Sequence, residues 1–298
     1  MNNEQINKII KIVNIENVFF NENLKNYMGY KTEKFAKVLV KPTNIKKLIR
    51  LVKYLKKQNV DFYILGNGTN TLACKNLELV ICLKKIIGIK IKNNKIFANA
   101  GESLFNIINK SSDYNLKGLE KLYGIPASLG GAIVQNCGAF GCCISDRLIY
   151  VKVFDGKKTR VIKKEDLEFS YRDSVFKRKN DLIILSACFE LLQGDKLTIK
   201  KEMDETLKYR KSKQPYDYPS CGSVFKRCED AIASQLIDEA GLKGYQIGGA
   251  KVSEKHAGFI INYDNATSED ILNLIDFIKN TIKLQKNIDL ECEIVLLY

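Results

Sequence analysis

The sequence predicts an α+β protein in two domains, and three observations carry that expectation. From Lys37 to Leu65 the pattern runs strand, amphipathic helix, strand. From Ile149 onward it becomes a succession of strands, the last of which, Leu182–Leu191, is apolar throughout. Beyond Leu192 the chain turns into a charged connector of helical period, Gln193–Tyr209, and then repeats the mixture on a smaller scale. Such a shift in period and composition marks a domain boundary. The expected division is residues 1–192, with subdomains of about 1–83 and 84–192, followed by 193–298.

Taken in order, the strand Lys37–Val40 ends at Lys41-Pro42-Thr43. Thr43 reads as the N-cap of a helix whose Ile45, Leu48, Ile49, Val52 and Leu55 recur at helical spacing. Val60–Leu65 reads as a buried strand, so the three elements form a right-handed parallel crossover. It runs into Gly66-Asn67-Gly68-Thr69-Asn70. Two glycines after a strand suit a phosphate-binding turn, but Thr71 stands where the dinucleotide fingerprint needs its third glycine. The following LACKNLELVICL also returns to strand instead of opening a helix, which disfavours a Rossmann site. Short strands at Val80–Leu83, Ile86–Ile91 and Lys95–Ala98 precede a helix over Glu102–Asp113.

Gly118–Asp146, GLEKLYGIPASLGGAIVQNCGAFGCCISD, holds six of the nineteen glycines and Pro126. Residues this small leave little side chain to pack. They offer backbone, because glycine lets a ligand approach main-chain N–H groups that can nest an anion. A long surface loop is the plain alternative. The regularly placed Ile125, Leu129, Ile133 and Val134 weigh against it.

Strands at Ile149–Phe154 and Thr159–Ile162 frame FSYRDSVFK, residues 169–177, where Arg172 by itself reads as a surface arginine. In the second domain, Lys213-Gln214-Pro215 precedes YPSCGSVFKR, residues 218–227. Asp230–Ala240 is an amphipathic helix with Ile232, Leu236, Ile237 and Ala240 inward, closed by Gly241. Thr267-Ser268-Glu269-Asp270 caps a long helix with Ile271, Leu274, Ile275, Ile278 and Ile282 on one side. The terminal strand Glu293–Tyr298 begins with a glutamate that would by itself be an exposed edge residue.

Hydrophobic content of 45% and charged content of 28% are those of a soluble globular protein. No run approaches the roughly 18 apolar residues of a membrane helix, and the polar N-terminus lacks a signal-peptide core, so a cytoplasmic location is expected. The nine cysteines lack CxxC spacing and read as free thiols, with no metal site. The net charge of +14 comes from lysine spread along the whole chain, which argues against a dedicated nucleic-acid surface.

The segments GNGTN, GIPASLGGA, NCGAFG with SD, YRDSVFK, PSCGSVFKR, GLKGYQIGGAKVSEKHAGFIIN and the closing LECEI share one order. From about Tyr63 to the C-terminus they resemble UDP-N-acetylenolpyruvoylglucosamine reductases, the flavoenzymes of peptidoglycan precursor synthesis. The short connector resembles the smaller type II class. Departures fall at Ala127, Cys137, Phe140, Cys142-Cys143, Cys221 and Cys228, the last in place of the usual proline.

The resemblance implies a two-subdomain flavin-binding domain of the PCMH (vanillyl-alcohol-oxidase-like) type, followed by a smaller α+β substrate-binding domain. It implies non-covalent FAD held by Gly66, Asn67, Gly68, Thr69 and Asn70, and by Gly124, Ile125, Pro126, Ser128, Gly130, Gly131, Ala132, Asn136, Gly138 and Ala139. NADPH would be the co-substrate, and an enolpyruvyl UDP-sugar the molecule reduced. The implied catalytic residues are Arg172 on the substrate carboxylate, Ser223 as proton donor, and Glu293, with Lys213, Arg227 and Tyr171 as substrate contacts. Lys226 or another nearby cation would steady the alkoxide that Ser223 would leave. His256, the sole histidine, reads more readily as structural than catalytic. A monomer is expected. Two other readings stay open: a sugar or alcohol oxidase of the wider flavin fold, and a nucleic-acid-binding protein using the +14 charge.

Overall fold

The computed structural model describes residues 1–179, 181–228 and 231–298. The chain forms two compact units, one of residues 1–20, 38–67 and 78–208, the other of 21–37, 68–77 and 209–298. This partition is not linear, since two early segments join the C-terminal part of the chain.

The first unit opens with helix α1 (Asn3–Val13), whose N-cap Asn2 and Gln5 make a reciprocal capping box. Strand β1 (Val18–Asn23) passes from the first unit into the second, and β2 (Phe35–Val40) returns from the second to the first. Helix α2 (Ile45–Lys57) follows, then β3 (Tyr63–Leu65). Its cap is Asn44, not Thr43: the Asn44 side chain accepts from the Lys47 amide at 2.9 Å. Strand β4 (Thr71–Ala73) lies in the second unit, and β5 (Leu77–Cys82) returns to the first.

The sheet order is β1-β2-β5-β3. The expected crossover therefore does not join neighbours, because β5 lies between β2 and β3 and pairs in parallel with β3. The reason is in the sequence that follows: Leu77, Leu79, Val80, Ile81 and Cys82 are buried, and a strand buried on both faces belongs at a central position.

A second sheet is built from β6 (Ile89–Lys92), β7 (Lys95–Asn99), β11 (Leu148–Phe154), β12 (Thr159–Lys163) and β13 (Ile183–Glu190), in the order β12-β11-β13-β7-β6. Strand β6 starts three residues later than its apolar run suggests, because Gly88 takes φ 144° and turns the chain there. Helix α3 (Leu104–Asp113) leads to β8 (Leu116–Lys117). The short helix α4 (Leu129–Val134) and the hairpin of β9 (Gly138–Ala139) and β10 (Cys142–Cys143) come next. The glycine-rich segment is thus a folded part of the core, with Leu129, Ala132 and Ile133 fully buried. Helix α5 (Val175–Arg178) and strand β14 (Leu192–Gln193), paired with β8, complete the unit before α6 (Lys196–Lys213) leads out of it.

The second unit has its own core and a four-stranded sheet. Its strands are β15 (Ser220–Ser223), β16 (Gln246–Ile247), β17 (Ala250–Val252) and β18 (Phe259–Asn262), in the order β15-β18-β17-β16. Helices α7 (Ala233–Glu239) and α8 (Ser268–Lys286) contribute to that core. Asp230, where the sequence places the start of α7, lies outside the described residues. Helix α8 buries Ile271, Leu274, Ile275, Ile278 and Ile282, each contributing about 1.5–3 kcal/mol relative to exposure. The terminal strand β19 (Val295–Leu297) is shorter than expected and pairs in parallel with β4, Val295 opposite Thr71.

Candidate functional site

In the first unit three expected cofactor segments meet. A Cβ on Gly66 would lie 2.1 Å from the Ser128 hydroxyl oxygen, so no larger residue fits there without displacing that side chain. The Asn67 side-chain amide donates to the Pro126 carbonyl at 3.0 Å, tying the turn after β3 to the segment before α4. Ser128, buried, caps α4, and the amides of Leu129 and Gly130 donate to the carbonyls of Glu102 and Ala100. Asn136, in a left-handed conformation with φ 41°, donates from its side chain to the Ser170 carbonyl at 2.9 Å.

Arg172 stands on the neighbouring loop. Its backbone has φ 54°, which costs a non-glycine residue of order 1–3 kcal/mol. Lys177 donates from Nζ to the Arg172 carbonyl at 2.7 Å and holds that conformation. The guanidinium donates to the Gly138 carbonyl at 2.9 Å and lies 5.4 Å from the Tyr171 ring centroid. A Cβ on Gly138 would meet Cys143 Sγ at 2.8 Å and an Arg172 nitrogen at 3.4 Å, so the hairpin needs glycine at this point. Gly66, Asn67, Pro126, Ser128, Asn136, Gly138 and Arg172, placed by sequence in four separate motifs, are therefore in one connected set.

Other expected site residues lie in the second unit. The Glu293 amide donates to the Val224 carbonyl at 2.7 Å, next to Ser223, and Phe225 bridges Cys292. The Asn70 side-chain amide donates to the Glu293 carbonyl at 3.2 Å. Glu293 is half-buried and precedes β19, so it is not the exposed edge residue its position suggested. Ser223 is also half-buried, at the end of β15. Lys226 pairs with the Glu291 carboxylate, whose side chain is exposed. Lys213 and Arg227 are exposed, at the end of α6 and after β15. Sequence reasoning passed over Arg210, a buried cation (7% exposed) in the last turns of α6.

The residues of the turn and of the hairpin suit FAD. Among the described residues, the main-chain N–H groups of Asn67, Gly68 and Asn70 donate to nothing, while Gly68 takes φ 69°. A run of unused amides in a glycine turn is the donor set a pyrophosphate requires. The buried Asn136 Oδ1 also lacks a hydrogen-bond partner, an acceptor such as a ring N–H could satisfy.

Burial favours the neutral thiol at Cys142, Cys143 and Cys221. Burial pushes Cys142 up to about 11 and Cys221 up to about 12, and raises Cys143 as well. Burial lowers His256, whose Nδ1 accepts from the Gly258 amide at 3.1 Å, so this neutral ring holds a turn.

Residues 36–163 match the FAD binding domain family, and residues 214–297 match the C-terminal domain of UDP-N-acetylenolpyruvoylglucosamine reductase. The curated reductase of that name from Caldanaerobacter subterraneus subsp. tengcongensis is 42% identical over 292 residues, 97% of this chain and 96% of its own. The chain belongs to the UDP-N-acetylenolpyruvoylglucosamine reductase family. The crystal structure of the reductase from Thermus caldophilus superposes with a TM-score of 0.79 at 30% identity, covering 94% of this chain and 98% of that one. An alkyldihydroxyacetonephosphate synthase, 12% identical, superposes with a TM-score of 0.51 over 65% of this chain and 41% of its own. That likeness shows the fold alone, the PCMH-type flavin domain. This reductase family is one of FAD-dependent oxidoreductases.

Proposed function

We propose that the protein reduces the enolpyruvyl group of enolpyruvyl-UDP-N-acetylglucosamine to the lactyl ether of UDP-N-acetylmuramate, with NADPH as electron donor, in peptidoglycan precursor synthesis. Family membership over nearly the whole chain carries this reading. Bound FAD would supply the hydride chemistry that links NADPH to the enolpyruvyl double bond. The amides of Asn67, Gly68 and Asn70 would hold its pyrophosphate, and the segment from Gly124 to Ala139 would hold the rest.

Arg172 is the cation for the substrate carboxylate. The negative charge that builds on that group during reduction is what a pre-positioned guanidinium stabilises. Its fixed φ and its bond to Gly138 hold the side chain before substrate arrives, so little orientation is lost on binding. Ser223 supplies the proton to the carbon next to the carboxylate. A hydroxyl stays protonated at neutral pH and can donate to a base as strong as a carbanion or enolate. Glu293, whose amide donates to the Val224 carbonyl, would stabilise the intermediate together with Arg172. Lys213, Arg227 and Tyr171 would hold the UDP-sugar. The enzyme is expected to work as a cytoplasmic monomer.

Anaerobic absorption spectroscopy tests the reading. NADPH should bleach the flavin band, and enolpyruvyl-UDP-N-acetylglucosamine should restore it stoichiometrically. A protein that takes up no flavin, or whose bleached flavin ignores that substrate, is not this enzyme.

A further inference from the structure

One face of the second unit's sheet, which also carries the buried Phe259 and Ile261, holds a feature that the reaction chemistry leaves unused. Ser220 pairs with Ile261, Lys251 pairs with the same Ile261 from the other side, and Ser223 pairs with Phe259. Cross-strand partners point to one face of a sheet. Ser220 and Ser223 would fall on opposite faces by their odd spacing. The bulge between them, with Gly222 at φ 77°, brings both to the same face. Cys221, Ala250, Val252 and Ile260 occupy the opposite face and belong to the core. Lys251 thus shares a face with the proposed proton donor. Two strand spacings and one two-residue step place it on the order of 12 Å from Ser223 along that face.

At this end of the face stand two tyrosines. Tyr218, just before β15, is 40% exposed, and Tyr263, just after β18, is 44% exposed. Their rings lie 5.3 Å apart at 39°, and Lys251 Nζ is 4.5 Å from the Tyr263 centroid. The ammonium also pairs with Glu254 at 2.7 Å, a carboxylate whose side chain is 71% exposed. That partner is screened by water and competes weakly with a phosphate.

We propose that Tyr218, Tyr263 and Lys251 form a nucleotide subsite, in which a base stacks on the exposed ring of Tyr263 beside Tyr218 while a phosphate meets Lys251. Exposed aromatic rings beside a cation suit a base with its phosphate, since every base has a face to stack. The distance from Ser223 is of the length that separates a reacting group from the base in a nucleotide substrate. This rests on the reading of the protein as a nucleotide-sugar reductase. Two molecules of that reaction carry such an end, the uridine of the UDP-sugar and the adenosine phosphate of NADPH.

Calorimetric titration of the FAD-loaded protein with UDP and with adenosine 2′,5′-bisphosphate distinguishes them. One of the two nucleotides should bind, and Tyr263→Ala and Lys251→Gln should each weaken it about tenfold or more. Tyr263→Phe keeps the ring and should bind as the unaltered protein does, which separates stacking from loss of fold. The nucleotide affected names the source. The subsite is overturned if both nucleotides bind the variants as tightly as the unaltered chain, or if neither binds at all. Loss of flavin reduction or reoxidation with nucleotide binding intact overturns the reductase reading instead.

Discussion

Ser223 shows how much chemistry depends on one backbone irregularity. The bulge at Gly222 turns its side chain to the face of Ser220, away from the buried Cys221. In Ser223→Ala the two half-reactions should separate. NADPH should bleach the flavin at close to the usual rate, whereas reoxidation by the enolpyruvyl substrate should slow at least 10²–10⁴-fold, the range of a lost general acid. Rapid-mixing absorption measures both, and equal slowing of the two would make the serine structural. The residue itself was legible in the motif PSCGSVFKR; its orientation was not, because a bulge is a property of strand pairing. Arg172 is similar, since a motif names it but its φ of 54° and the Gly138 bond come from chain segments far apart in sequence. The thiols give a second expectation. Cys221 is raised by burial to about 12 and Cys142 to about 11, from an ordinary 9.0. A group whose folded pKa lies above its unfolded value stabilises fully below the unfolded value and loses that contribution as pH rises through the folded one. The urea midpoint should therefore fall between pH 9 and the folded values of about 11 and 12, each thiol adding up to about 1.4 kcal/mol per pH unit. Cys221→Ala should flatten that decline and leave turnover within about tenfold, an allowance of about 1.4 kcal/mol for repacking. An unchanged alkaline limb would show that other groups, such as the buried Tyr30, set it.

At the scale of elements, local signals were read more reliably than partners. The capping box of α8 is as the sequence indicates: Thr267 accepts from the Asp270 amide at 3.0 Å, and Asp270 accepts from the Thr267 amide at 2.9 Å. Asp270 also accepts from the Gly249 amide at 3.2 Å, so it joins the helix to the turn between β16 and β17. Thr267→Ala should cost about 1 kcal/mol, and Asp270→Ala more, because it also leaves the Gly249 amide without its acceptor. Chemical denaturation ranks the two, and the reverse order would mean that the Gly249 bond contributes little. What could not be read was the neighbour of each strand. Nothing in VLL at 295–297 names Thr71–Ala73 as its parallel partner, and nothing local says that β5 lies between β2 and β3. Such pairings are non-local and are set by which strands are apolar on both faces. The cap of α2 was misplaced by one residue because Thr43 and Asn44 are both good caps, and the asparagine is the one that reaches the Lys47 amide.

For the whole molecule, the decisive question is how the flavin is kept. A covalent tether needs a nucleophile able to attack the flavin ring system, ordinarily a histidine or a cysteine thiolate. The sole histidine, His256, has its Nδ1 occupied by the Gly258 amide within a turn of the second unit. The cysteines of the hairpin, Cys142 and Cys143, are held as thiols by burial, and the thiol form is a poor nucleophile. The segments that suit FAD offer main-chain amides and a side-chain carbonyl instead, groups that bind reversibly. Acid precipitation should therefore release all of the flavin to the supernatant, and colour left in the washed pellet would contradict this. Reversible binding also links the cofactor to stability. Added FAD at about a hundred times its dissociation constant should stabilise the protein by about 2.7 kcal/mol, with a melting temperature that rises with FAD concentration. A melting temperature indifferent to FAD, with the flavin still released by acid, would mean that the cofactor binds the unfolded chain as well as it binds the folded one.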